Sequence, residues 1–191
     1  MKKKRPYIIL KWAESSDGFL SPNQKKENKP VWITTEVSRQ LVHKWRTEEQ
    51  AILIGGKTAI EDNPSLTSRK WKGQNPTRIV LDKYNNLSKE LSIFDASAET
   101  IKVFDIHDKQ SELGSISIKQ IDFKDLDNIA SQVCDICFEL NINSVIVEGG
   151  SKTLKNFINA GLWDEARVFV GEIRLGKGTK APQILGTIHR L

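Results

Sequence analysis

Cysteine, methionine, tyrosine and histidine are scarce in this 191-residue chain, which has two, one, two and three of them respectively. So few cysteines rule out a disulfide-stapled scaffold. No apolar run approaches the length needed to cross a bilayer, so a spanning helix is not expected. The start, "MKKKRPYIIL", is basic, but its apolar part is short and lacks a small-residue cleavage site, so it does not read as a signal peptide. These absences point to a cytoplasmic protein without a membrane partner. Charge of one sign is also thin: the net value is +5, and Lys2, Lys3, Lys4 and Arg5 supply four of the cations, leaving the remainder almost balanced. A nucleic-acid binder wants a basic face on the folded domain, so no nucleic-acid partner is expected, whereas a modest cation surplus suits a phosphorylated small molecule.

The two cysteines, Cys134 and Cys137, form a C-x-x-C that suggests a redox pair or half a zinc site. The spacing of Leu126, Ile129, Ala130, Val133, Cys137 and Leu140 is helical, however, and places both thiols on or beside an apolar face. We read them as core. His43, His107 and His189 are scattered, complete no ligand set with them, and no metal is expected.

What the chain does contain is a series of apolar, β-rich runs: "YIILKWA" (7 to 13), "AILIGG" (51 to 56), "TRIVLD" (77 to 82), "IKVFDI" (101 to 106), "SVIVEGG" (144 to 150) and "EARVFVGE" (165 to 172). Helical patterns lie between several of them. One spans "TTEVSRQLVHKWRTEE", with Thr34 or Thr35 as N-cap and Val37, Leu41, Val42 and Trp45 on one face; a second runs from Asp125 to Leu140. A third follows "VEGG", capped by Ser151, striped by Leu154, Phe157, Ile158 and Leu162 and stopped at Gly161. Strand and helix alternating in this way predict a single α/β domain over residues 1–191 with a central, mostly parallel sheet. "SPNQKKENKP" (21 to 30) reads as a long charged loop, either a lid or an exposed connection.

Ligands of open α/β sheets bind beyond the carboxyl ends of the strands. Two strands here end in glycine pairs, Gly55-Gly56 and Gly149-Gly150. "VEGGSKT" is then either a phosphate cradle at a helix start or an ordinary glycine turn. Glu148 is either a structural acceptor or a group that holds a ligand. Arg39, His43 and Arg46 share a helical face, which can grip an anion or form a solvated flank. The segment "GGKTAIEDNPSLTSR" crowds hydroxyl, acid, amide and a terminal Arg69 beyond one strand end, a mixture suited to a polar, phosphorylated ligand.

Taken together, "KWAESSDGF", "WITTEVSRQLVHKWRTEEQAILIGGKTAIEDNPSLTSR", "PTRIVLD" and "VEGGSKTLKNFINAGLWDEARVFVGE" resemble the reductase domain of the bacterial bifunctional riboflavin-biosynthesis deaminase/reductase, from Lys11 to Gly171. The resemblance implies a dihydrofolate-reductase-like three-layer sandwich, NADPH as hydride donor, and 5-amino-6-(5-phosphoribosylamino)uracil as substrate, a phosphorylated ribosylamino-pyrimidine. It implies that Ala13, Trp32, Thr58, Asp62, Gly150, Ser151, Lys152 and Thr153 hold the cofactor, and that Arg46, Leu66, Arg69 and Glu148 hold the substrate. Lys11 and Asp62 are the implied candidates for moving protons. A homodimer is implied too. The H-x-E and P-C-x-x-C of the family's zinc deaminase domain are missing, so the chain is either a free-standing reductase or one part of a fused protein. Pro30 stands where the family often has Ser, and "LGTIHRL" looks like an early end. The alternatives are a related reductase of the undeaminated pyrimidinone, a folate- or pterin-type reductase, and a non-catalytic nucleotide-binding domain.

Overall fold

The computed structural model describes residues 4–23, 33–108 and 116–191, so Trp32, Pro30 and most of the charged loop lie outside the described residues. Eight strands form one sheet: β1 (Tyr7–Ser15), β3 (Ala51–Gly55), β4 (Thr77–Leu81), β5 (Thr100–Asp105), β6 (Ser117–Ile121), β7 (Ser144–Val147), β8 (Glu165–Gly171) and β10 (Ile188–Arg190). Their order is β10-β8-β1-β7-β3-β4-β5-β6, and every pairing is parallel. Among the described residues the sheet is therefore entirely parallel. β2 (Phe19–Pro22) and β9 (Gly178–Lys180) form a separate antiparallel pair.

A parallel sheet is buried on both faces, which is why its inner strands read as nearly continuous apolar runs. On one face Ile8, Leu10, Leu53, Val103 and Val147 pack beneath α3 (Ile129–Glu139) and α4 (Ser151–Asn159). On the other, Ile9, Ile52, Val80 and Ile146 pack beneath α1 (Glu36–Glu48) and the short α2 (Gly56–Asp62). Helices on both faces make the expected three-layer sandwich.

Several local expectations are corrected. Thr35 caps α1 by accepting from the Ser38 N–H, and Val42 and Trp45 are buried, but Val37 is 75% exposed because it precedes the stripe that meets the sheet. α3 begins at Ile129, not Asp125, since Asp125 to Asn128 form a turn in which the Asn128 N–H and side-chain amide both return to Asp125. Leu126 is consequently left outside the core, 59% exposed. The cap of α4 is Gly150, at φ +69°, and Ser151 is its first helical residue. Gly161 ends α4 as expected: at φ +64° its N–H reaches the Ile158 carbonyl, while the Leu162 N–H reaches that of Phe157. Arg5, read as part of a basic cluster, is tied to the body by a two-pronged ion pair with Asp164 at 2.6 and 2.9 Å.

Both cysteine side chains are buried in α3, and burial is the largest effect pushing each thiol up to about 12. A thiol reagent at neutral pH is expected to modify neither in the native protein and both in urea. Rapid native labelling would contradict the core assignment.

Candidate active site

Adjacent parallel strands bring distant residues together at their carboxyl ends. Leu10 pairs with Val147, and Leu53 with the same Val147, so the residues that follow, Lys11 on β1 and Glu148 after β7, meet beside the end of β3. The Glu148 N–H continues the ladder by donating to the Leu53 carbonyl at 3.0 Å. The two glycine pairs lie side by side for the same reason. A Cβ added at Gly55 would fall 2.7 Å from Thr153 Oγ1, one at Gly150 3.0 Å from Thr58 Oγ1, and one at Gly149 2.9 Å from the Ile54 side chain. These glycines are closely packed, Gly150 also at φ +69°, on a crest from which α2 and α4 both start, and the hydroxyls of Thr58 and Thr153 edge it. Ala13 is half-buried on β1, Ser151 is half-buried, and Gly150 and Lys152 are exposed.

Glu148 is the centre of an ion-pair cluster. Arg46, from α1, donates Nε to Oε1 at 3.3 Å and a terminal nitrogen to Oε2 at 3.0 Å, and Lys11 Nζ stands 3.7 Å from Oε2. All three side chains are largely buried, with exposures of 9 to 15%. Burial by itself raises the Glu148 carboxyl, but the charges of Arg46 and Lys11 and the Arg46 hydrogen bonds outweigh it and hold the group at about 2. Burial is the largest effect on Lys11 and lowers its ammonium, against the attraction of Glu148. Below the cluster, Lys11 lies 6.0 Å over the Phe169 ring, which stacks on Trp45 at 5.4 Å.

The depressed Glu148 value has a definite sign. Stability from ionised Glu148 is complete above its ordinary 4.5 and is lost as pH falls towards about 2. Urea midpoints measured across that window are expected to fall more steeply for the parent than for Glu148→Gln. Parallel curves would remove the carboxylate from the cluster's energetics.

After α2 the chain turns sharply through the D-N-P-x-L-T-x-R segment. Asn63 and Leu66 are both left-handed, at φ +39° and +56°, a region that costs a non-glycine residue roughly 1–2 kcal/mol. Contacts hold them there. Asn63 Oδ1 accepts from the Ser92 N–H at 2.7 Å, Leu66 is 2% exposed, and Asn75 Oδ1 accepts from both the N–H and hydroxyl of Ser68 at 2.9 Å. The Thr67 carbonyl accepts from Arg46 at 3.1 Å and from His43 Nδ1 at 2.9 Å, so the turn is linked to Glu148 through Arg46. Arg69 is exposed, bonded to the Ser65 hydroxyl at 2.9 Å, and opens on a cleft of about 500 Å³ lined also by Thr67, Ser68, Trp71, Lys72 and Asn75.

Lys11, Arg46 and Glu148 are thus brought into direct contact, and Leu66 is joined to them through the neighbouring Thr67 carbonyl. Thr58, Gly150 and Thr153 gather at the crest. Asp62 closes α2 as an exposed residue, and Trp32 lies outside the described residues. The helical face of Arg39, His43 and Arg46 divides: Arg39 donates to the Thr34 carbonyl, whereas His43 and Arg46 reach the turn. Sequence reasoning missed three supports. They are the His43–Thr67 bond, the Trp45–Phe169 floor, and Asp17, whose carboxylate accepts from the Ser15 hydroxyl and the N–H groups of Leu175 and Gly176. The Ser15 bond leads the effects that hold Asp17 at about 2. For Asp17 the sequence signal is the turn-forming "ESSDG" at the end of β1. Asp105, His107 and Asp122 also converge at the ends of β5 and β6, their ligand atoms within 4.8 Å of one another.

Fold and site define an α/β domain whose parallel strands end between a glycine crest and a buried carboxylate gripped by cations. The chain belongs to the RibD C-terminal domain family, whose model matches residues 6–188. It is 33% identical to the riboflavin biosynthesis protein RibD of Aquifex aeolicus over 181 residues, covering 92% of this chain and 49% of that one. With the RibD protein of Bacillus amyloliquefaciens the identity is 31%, covering 97% and 50%. The chain thus spans about half the length of these curated relatives. Its fold matches a solved Thermotoga maritima protein, a diaminohydroxyphosphoribosylaminopyrimidine deaminase/5-amino-6-(5-phosphoribosylamino)uracil reductase, with a TM-score of 0.77 and 28% identity, covering 94% of this chain and 48% of that one. Among the described residues, no helix is long and apolar enough to cross a membrane.

Proposed function

We propose that this domain reduces the ribosyl group of 5-amino-6-(5-phosphoribosylamino)uracil to the ribitylamino product, using NADPH. The observation that carries the reading is the adjacency, at the ends of β7 and β3, of a crest of closely packed glycines and a buried Lys11–Glu148–Arg46 cluster. The start of α4 suits a dinucleotide's phosphates, because its first N–H groups favour an anion and the exposed Gly150 brings no side chain in front of them. Ala13, Trp32, Thr58, Asp62, Gly150, Ser151, Lys152 and Thr153 are the residues assigned to NADPH, which when bound supplies the hydride for the sugar C1′.

The chain's own residues then have separable tasks. Glu148, fixed by Arg46 and kept ionised, orients the pyrimidine by accepting from its N–H groups. Arg69, exposed at the mouth of the cleft, takes the 5′-phosphate, and Leu66 packs along the same turn. Opening the ribose requires a proton at its ring oxygen, and Lys11 Nζ, whose burial weakens its hold on that proton, is the donor in the cluster, with Asp62 the second candidate. The same reading makes the domain a homodimer with a deaminase domain fused to it in relatives of twice the length; light scattering tests the former.

The decisive assay is NADPH oxidation with the phosphoribosylamino-uracil, its undeaminated pyrimidinone precursor and dihydrofolate offered in parallel. Turnover with the uracil alone, lost in Arg69→Ala, supports the proposal. Turnover with the pyrimidinone moves the substrate one step earlier, and NADPH binding without turnover on any of them sinks the enzyme reading.

A further inference from the structure

His43 is buried within α1, 7% exposed, and sits one turn before Arg46. The Thr67 carbonyl can only accept, so the 2.9 Å contact places a proton on His43 Nδ1. That one oxygen receives both His43 and Arg46, and so uses both of its lone pairs. The residue before it, Leu66, has left-handed backbone that no intrinsic preference maintains. Arg46 in turn divides its guanidinium between Thr67 and Glu148. A turn that drifts at Thr67 therefore pulls Arg46 away from Glu148, and shifts Leu66 and Arg69 with it.

We propose that His43 is a positioning residue of this site: its Nδ1–H pins the Thr67–Ser68 peptide and thereby sets Arg46 against Glu148. The role differs from anion binding, which was one reading of the Arg39–His43–Arg46 face. Its surroundings favour a neutral ring. Burial is the main effect lowering the imidazole below its ordinary value, Arg46 and Arg69 add to it, and the Thr67 bond and Glu148 oppose it. A neutral imidazole is enough, since the bond needs only the Nδ1 proton.

The kinetic consequence rests on the substrate assignments made above, whereas the structural link does not, and the test separates the two. His43→Leu removes the donor at similar volume, and His43→Asn restores an N–H near the Nδ1 position. In the NADPH assay, His43→Leu is expected to raise KM for the phosphoribosylamino-uracil about tenfold, the equivalent of one lost hydrogen bond, with kcat changed by less than about threefold. His43→Asn should recover most of that loss. In parallel, the Arg46 Nε–H resonance in nitrogen-15 spectra is expected to shift or broaden in the Leu variant and return in the Asn variant. Equal KM loss in both variants, or an unmoved Arg46 resonance in a folded Leu variant, overturns the proposal. If the parent oxidises no NADPH, the functional reading fails, while the Arg46 resonance still decides the role of His43.

Discussion

Replacing Arg46 by Met is expected to be the most damaging single change at the site, both to stability and to turnover. Arg46 makes both close bonds to Glu148 and one to Thr67, and without it a carboxylate that is 9% exposed keeps only the more distant Lys11. Removing one partner of a buried ion pair costs roughly 3–5 kcal/mol, because the other charge stays desolvated. For a chain of this size that is a fall in Tm of about 6–20 °C by calorimetry. The substrate would meet a displaced Glu148 and a loosened turn, so kcat/KM should fall on the order of 100-fold. Glu148→Gln in the same background should return part of the stability, since it removes the orphaned charge. A melting temperature within about 2 °C of the parent would mean that water or a proton already satisfies Glu148, and that Arg46 does not hold it.

The second large effect is expected at a residue that itself touches no proposed ligand. Arg78, on β4, is fully buried, and its guanidinium donates to the carbonyls of Ser65 and Ser92 at 3.3 Å, of Asp95 at 2.5 Å and of Ala98 at 2.6 Å, to Asp95 Oδ1 at 2.8 Å and to Thr100 Oγ1 at 2.9 Å. It thus joins the turn at Ser65 to the 3₁₀ turn Ser92–Phe94 and the loop after it. Arg78→Leu leaves those carbonyls without their donor, which should lower stability by roughly 3–5 kcal/mol in urea titrations. Arg78→Lys should recover little, because a single ammonium cannot span the directions that a planar fork serves. A Lys variant as stable as the parent would show that charge alone, rather than the fork, organises the turn.

How far the sequence discloses this arrangement varies with the element. The inner strands β1, β3, β4, β5, β7 and β8 are legible because burial on two faces demands apolar runs. β6 and β10 are not, since an edge strand has one neighbour; "SIKQI" and "IHR" carry no comparable run. Val37 and Leu126 misled because helical spacing counts an apolar residue without saying whether the sheet extends beneath it. Arg46 and Glu148 are 102 positions apart, and only the order β1-β7-β3 and the placing of α1 unite them, so the resemblance to a family supplied what spacing could not. A subtler signal was present in "TRIVLD" and "IKVFDI". A cation inside a buried strand must have a partner: Arg78 has its ring of carbonyls, and Lys102 has Asp82 at 2.8 Å.

The position of β1 bears on how the molecule is assembled. This first strand lies between β7 and β8, paired at Tyr7 to Leu10 with residues 144–147 and at Ile9 to Ser15 with residues 165–171. On the ribosome the β3-β4-β5 segment can form its pairings early, whereas β1 must wait for more than a hundred further residues before either neighbour exists. Closing so long a loop is slow, and until it closes both edges of β1 and one edge of β3 stay open to wrong partners. The strand that carries Lys11 is therefore among the last to settle, so the ion-pair cluster is completed only when the sheet is.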